Sequence, residues 1–166
     1  MLPKTRVTRG KPNPRYFGLG QRLKRARKQA GLSRSRLALT AGLSHTVAAD
    51  IEHKSRIPRV DILEKLAIVL QLSPCWLAFG EAQPWTPGEG LQCEGLSYRL
   101  KSAREGTGLT RHALGKAAST TGTTVQNIED GLSMPRLDTI EDLAKVLKVT
   151  PCWLAYGAGA VPCAST

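Results

Sequence analysis

The chain has 166 residues, with 24 lysines and arginines against 13 acidic side chains, a formal net charge of +11 and an isoelectric point near 10.0. A chain of this length forms one or two small domains with modest cores. So large a positive excess points to an anionic partner such as nucleic acid, without separating DNA from RNA or from an acidic membrane surface. The apolar run near Leu66–Leu70 is far too short to span a bilayer, and Met1–Arg9 has no hydrophobic signal region. Cys75, Cys93, Cys152 and Cys163 are scattered without a C-x-x-C pair, which argues against a disulfide framework or a zinc ribbon. A cytoplasmic protein is expected, with no cofactor, no metal and no membrane partner.

In chain order, residues 1–16 read as a basic arm: Lys4, Arg6, Arg9, Lys11 and Arg15 stand without an acid, among prolines and without periodicity. A first domain is expected over 17–80, divided into five helices. Leu19, Leu23 and Ala26 make an i, i+4, i+7 stripe for the first helix. Gly31 to Glu52 reads as two short helices joined by a glycine turn. Ser33 caps the first, in which Leu37 and Ala41 share a face; Ser44 caps the second, with Ala48 and Ile51 turned inward. Gly42 lies where the turn needs a positive φ. Leu63, Leu66, Ala67 and Leu70 mark a fourth helix, and Ser73-Pro74 opens a fifth, a capping hydroxyl followed by proline at the first helical position. Trp76 follows and is expected to close the core rather than to act in function.

After a linker at 81–94 the pattern repeats over 95–157, followed by a tail at 158–166. An offset of 77 holds without a gap from Gly18/Gly95 to Gly80/Gly157, and roughly two positions in five are identical. Arg27 meets Arg104, Ile51-Glu52 meets Ile128-Glu129, Pro58-Arg59 meets Pro135-Arg136, and the run Pro74 to Ala78 meets Pro151 to Ala155. One ancestral domain has been duplicated. The expectation is an all-α chain of two tandem five-helix domains.

Both copies resemble the lambda-repressor-like, Cro-type helix-turn-helix family, also called the XRE family. The first carries Gly31-Leu32-Ser33, Leu37-Ala38, Gly42-Leu43-Ser44, Ile51-Glu52, Pro58, Leu66-Ala67 and Ser73-Pro74; the second carries Gly108-Leu109-Thr110, Leu114, Ile128-Glu129, Gly131, Pro135, Leu143-Ala144 and Thr150-Pro151. The resemblance implies that Arg34 and Arg111, at the start of the second helix of each copy, contact a phosphate; a solvated surface charge is the alternative. It implies that the third helix, over 44–53 and 121–130, enters the major groove of double-stranded DNA. The base-facing positions are then Ser44, His45, Thr46 and Asp50 in the first copy, and Thr121, Thr123, Thr124, Gln126 and Asn127 in the second. Gln126 and Asn127 suit adenine; Asp50 either accepts from a cytosine amine or repels phosphate and restricts the pose.

The loop with Lys54, Ser55, Arg56 and Arg59 is a cationic patch where the family grips the backbone. Its counterpart, Gly131 to Arg136, keeps one arginine. Two positions depart from the pattern, Lys54 in place of a helix-ending glycine and Ser119 in place of the turn glycine. Each costs on the order of 1 kcal/mol where positive φ is kept, and Gly122 weakens the first turn of the second recognition helix by a similar amount. Arm, first copy and remainder carry +5, +7 and −1, so counterion release concentrates non-specific affinity in the arm and first copy. Through Arg6 and Arg9 the arm either reaches along DNA or is an ordinary disordered terminus.

The second copy either reads its own half-site, making the chain a built-in pseudo-dimer, or serves homodimerisation or a protein partner. Cys75 and Cys152, in the first turn of the fifth helices, are either redox-sensitive thiols with lowered pKa or small semi-buried side chains. The function implied is a non-enzymatic, nucleoid-associated transcriptional regulator, by default a repressor. The alternative is an antitoxin or antiactivator-like factor in which one copy holds DNA and the other a protein.

Overall fold

In the computed structural model, residues 16–54, 56–81 and 92–159 are described; Arg6, Arg9 and the rest of 1–15, Ser55, 82–91 and 160–166 lie outside them. Ten helices run α1 (Phe17–Gln29), α2 (Arg34–Thr40), α3 (Val47–Lys54), α4 (Val60–Val69), α5 (Pro74–Phe79), α6 (Leu96–Gly106), α7 (Arg111–Ala117), α8 (Gly122–Glu129), α9 (Leu137–Leu147) and α10 (Pro151–Tyr156), with a short 3-10 turn over Gln92–Gly95 before α6. The described chain is therefore all-α, two five-helix units in tandem, apart from one isolated β-bridge between Arg59 and Arg136.

Local signals account for most of the boundaries. Ser33 and Thr110 accept the N–H of Arg36 and Ala113, both at 3.1 Å, at the starts of α2 and α7. Ser73 and Thr150 cap α5 and α10 through Trp76 N–H at 3.4 Å and Trp153 N–H at 3.1 Å, with proline in the first turn. The fourth helix of each copy ends where sequence alone shows no signal, at Gln71 and Lys148, equivalent residues with φ of 54° and 56°. Non-glycine residues at left-handed φ cost on the order of 1 kcal/mol each, offset here by the backbone bonds this turn allows, Leu72 N–H to Ala67 O at 2.9 Å and Val149 N–H to Ala144 O at 3.0 Å.

The stripes expected from periodicity are buried: Leu19, Leu23, Leu37, Ala48, Ile51, Leu63, Leu66 and Ala67, with their counterparts Leu96, Leu100, Leu114, Val125, Ile128, Ile140, Leu143 and Ala144. Trp76 and Trp153 are half-buried and pack at the rim of the core. Each copy also has a clamp invisible to periodicity. Arg22 donates from Nε to Leu77 O at 3.0 Å and from Nη2 to Ala78 O at 2.8 Å, and Arg99 does the same to Leu154 O and Ala155 O at 2.9 and 2.7 Å. A guanidinium on the last carbonyls of a helix satisfies acceptors that have no intrahelical partner.

The two copies share one continuous core, joined about a pseudo-two-fold axis. Val60 N–H donates to Pro135 O at 3.0 Å and Leu137 N–H to Pro58 O at 3.1 Å; donors and acceptors are each 77 residues apart, so one bond is the other's mirror image. Glu64 accepts from Gln92 N–H at 2.5 Å and Cys93 N–H at 2.9 Å, while its counterpart Glu141 accepts from the Tyr16 hydroxyl. Tyr16 and Cys93, also 77 apart, are thus held by the fourth helix of the opposite copy. Both lie in segments read from sequence as arm and linker, and both are buried. The Tyr156 hydroxyl donates to Val60 O at 3.2 Å, a contact its counterpart Phe79 has no hydroxyl to mirror.

Helices α5 and α10 touch across the axis, with Cys75 and Cys152 buried there at 0% and 1% exposure. The hydrogen bond to Cys75, and then burial, push the Cys152 thiol up. That is opposite to the lowered pKa expected at a helix N-terminus, and it favours the reading of these thiols as small core side chains.

Candidate nucleic-acid interface

The two helix pairs are alike in plan and unlike in detail. Gly42 turns the chain between α2 and α3 at φ 69°, and Ser119 adopts the same region at φ 55° between α7 and α8. In the second copy Thr121 caps α8 by accepting Thr124 N–H at 3.0 Å, and the helix begins at Gly122. A Cβ at Gly122 would lie 3.0 Å from His112 Cα, and one at Gly115 would lie 2.5 Å from the Thr121 carbonyl carbon. These glycines let α7 and α8 approach more closely than side chains permit, a use of Gly122 that its low helix propensity conceals. In the first copy Ala38 and His45 stand at those positions, and α3 begins only at Val47. Ser44, expected as the cap, instead places Oγ 3.4 Å from Thr46 Oγ1, and Ser44, His45 and Thr46 form an exposed turn ahead of the helix.

Behind each pair lies a buried carboxylate shared by two arginines. The Glu52 side chain is 0% exposed; Oε1 accepts Arg27 Nε at 2.7 Å, and Oε2 accepts Arg27 Nη2 at 3.1 Å and Arg34 Nε at 2.8 Å. The second copy repeats this, with Glu129 bound by Arg104 at 2.5 and 3.1 Å and by Arg111 Nε at 2.7 Å. Burial by itself would raise both carboxyls, but the hydrogen bonds from Arg27 and Arg34, or from Arg104 and Arg111, outweigh it and hold each below the ordinary glutamate range. Arg27 and Arg104 also bind Leu32 O at 2.7 Å and Leu109 O at 2.9 Å, tying α1 to α2 and α6 to α7.

The remaining predicted positions divide into exposed and engaged groups. His45, Thr46, Thr123 and Gln126 are exposed, and Asn127 is half-buried. The Thr121 and Thr124 hydroxyls lie 2.9 Å apart, so each already has a partner. Asp50 is 14% exposed in its side chain and accepts from Arg56 Nη1 at 3.4 Å, the arginine itself being 74% exposed. Arg59 is half-exposed and gripped in a fork by Asp61 at 3.0 and 2.7 Å. Lys54 is the last residue of α3; its side chain lies outside the described residues.

Residues 23–77 match the family profile described as Helix-turn-helix, and residues 96–155 match one described as Helix-turn-helix domain. The chain belongs to the helix-turn-helix family. It is a tandem helix-turn-helix DNA-binding protein, each profile covering one of the two repeats. No curated protein matches the sequence.

Between the two helix-turn-helix units lies a basic feature that reading the repeats one at a time does not reveal. The bridge sets Arg59 directly opposite Arg136, and Arg136 is held by Asp138 as Arg59 is by Asp61. Like charges facing each other across paired strands repel; the two aspartates offset this. Arg136 also reaches a cleft of about 490 Å³ lined by Val47 and Asp50 of α3 together with Arg56, Arg59 and Ile62. The second unit thus contributes a cation beside α3 of the first. Arg136 was legible only as the counterpart of Arg59; its place beside α3 follows from the pseudo-two-fold. Among the described residues no three His, Cys, Asp or Glu side chains group as a metal site, and no helix is long and apolar enough to cross a membrane.

Proposed function

We propose that this protein is a sequence-specific double-stranded DNA-binding transcriptional regulator that works as a single-chain pseudo-dimer, repressing by occupying an asymmetric operator. The supporting observation is the mirrored pair of bonds between Val60 and Pro135 and between Leu137 and Pro58, which fixes two recognition helices about one axis within one chain. The first unit reads one half-site through His45, Thr46 and the surface around Ser44 and Asp50, and the second reads a different half-site through Thr123, Gln126 and Asn127, with Thr121 and Thr124 setting the helix start. Asn and Gln side chains suit adenine through paired donor and acceptor groups. Arg34, Arg111, Lys54, Arg56 and Arg59 hold the backbone without reading sequence.

Selection of bound duplexes from a random pool with the full chain tests this. The expected product is a site with two unlike halves, centred roughly 10 base pairs apart as two helices on one face of B-DNA require, bound by one chain. A single enriched half-site, or a palindrome bound by two chains, refutes it. One observation favours a second reading, in which the second unit holds a protein. Tyr98 and Leu132, at 78% and 76% exposure, are the most exposed large apolar side chains described, and both lie on the second, near-neutral copy. That reading is supported if replacing Gln126 and Asn127 by alanine leaves the selected sequence unchanged.

A further inference from the structure

Resting on that DNA-binding reading, we propose that Glu52 and Glu129 are positioning residues that present Arg34 and Arg111 to DNA phosphates, and that Asp130 weakens this grip in the second copy. A guanidinium has two hydrogen-bonding edges. Arg34 is attached to the buried Glu52 through Nε at 2.8 Å, so the Nη1–Nη2 edge faces away from the carboxylate while the side chain keeps 37% exposure. That edge is the forked donor pair that fits two phosphate oxygens. Arg27, almost wholly buried and bound to the other side of the same carboxylate, holds Glu52 in place from the core. The carboxylate therefore separates two tasks: Arg27 secures the fold, and Arg34 faces outward in a fixed pose.

The second copy repeats the arrangement with a difference. Arg111 meets Glu129 through Nε at 2.7 Å, but its Nη2 also lies 3.6 Å from Asp130 Oδ1. The residue equivalent to Asp130 is His53, and next to Arg104 the chain has Glu105 where the first copy has Lys28. An incoming phosphate at Arg111 must displace a carboxylate that has no counterpart at Arg34. The grip is strong in the first copy and weak in the second, in the same direction as the division of net charge.

The test turns on sign. Removing an acid from a chain of net charge +11 strengthens general attraction to DNA, whereas loss of positioning weakens it. Full-length Glu52→Gln is expected to bind both the selected duplex and a scrambled one about tenfold more weakly, as loss of a charge-assisted contact implies, with a salt slope lower by about one. In an Arg34→Ala background the same substitution is expected to add nothing, because its effect passes through Arg34. Asp130→Asn is expected to tighten binding about threefold, and with Arg111→Ala that gain is expected to shrink to the small general effect of removing one acid. The exposed Asp130 cycle decides the matter if a thermal melt shows Glu52→Gln unfolded. Binding by Glu52→Gln equal to or tighter than the parent, or additive effects in either cycle, overturns the inference alone. A parent chain that binds no duplex at low salt overturns the DNA-binding reading with it.

Discussion

Val60→Pro strikes the seam of the pseudo-two-fold. Val60 is the first residue of α4, where a missing N–H costs the helix nothing. Arg59 before it has φ −72° and ψ 157°, the extended conformation a following proline requires. The substitution keeps the first turn of α4 and the Val60 carbonyl that accepts from Tyr156, but it puts a ring methylene where the N–H donates to Pro135 O at 3.0 Å and replaces a wholly buried core side chain. Pro135 is buried, so its carbonyl loses a bond without gaining water, and that loss of about 1–3 kcal/mol is the least expected, before the crowding by the ring is added. With an m-value near 2 kcal/mol/M, the urea midpoint falls by roughly 0.5–1.5 M. The shared core predicts one cooperative transition for both copies, followed by circular dichroism and by tryptophan fluorescence, with the two probes coinciding. A midpoint unchanged within about 0.2 M, or two separate transitions in the parent chain, would show that the copies are not stabilised by each other and would remove the basis for the single-chain pseudo-dimer.

Four further outcomes follow from the same geometry. Arg34→Ala weakens binding to selected and scrambled duplexes alike and lowers the salt slope by about one, as measured by fluorescence anisotropy across a salt series. Asn127→Ala costs about 1–3 kcal/mol on the selected site and little on scrambled DNA; equal loss on both would contradict a base-reading role. Glu52 and Glu129 are depressed in the folded state, so their stabilisation is present above the unfolded glutamate pKa of about 4.3 and is lost as pH falls through their lower folded values. Melting temperatures measured down that range should drop more steeply for the parent than for Glu52→Gln. In a Cys163→Ser chain, Cys75, Cys93 and Cys152, all buried, should react with an aromatic disulfide reagent only as fast as the protein opens; immediate reaction of any of them would contradict their burial.

What the residues alone determined was local. Capping hydroxyls bond an N–H three residues away, and apolar stripes recur within two turns, so Ser33, Thr110, Ser73 and Thr150 and the stripes of α1, α4, α6 and α9 were legible in sequence, as was the duplication itself. Gln71 and Lys148 were not, because they hold a left-handed φ that closes the helix end through Leu72 and Val149 N–H without the glycine or asparagine that marks such a turn. The candidate site divides the same way. The base-facing positions His45, Thr46 and Gln126 came from the family resemblance, whereas the attachment of Arg34 to Glu52, the pairing of Asp50 with Arg56 and the place of Arg136 beside α3 depend on contacts between separate elements. Above all, the sequence allowed the two copies any relation that the length of the linker permits. Only the meeting of Pro58–Val60 with Pro135–Leu137 chose one, because hydrogen bonds between residues more than 70 positions apart depend on the shapes of whole folded surfaces, which no window of neighbouring residues contains.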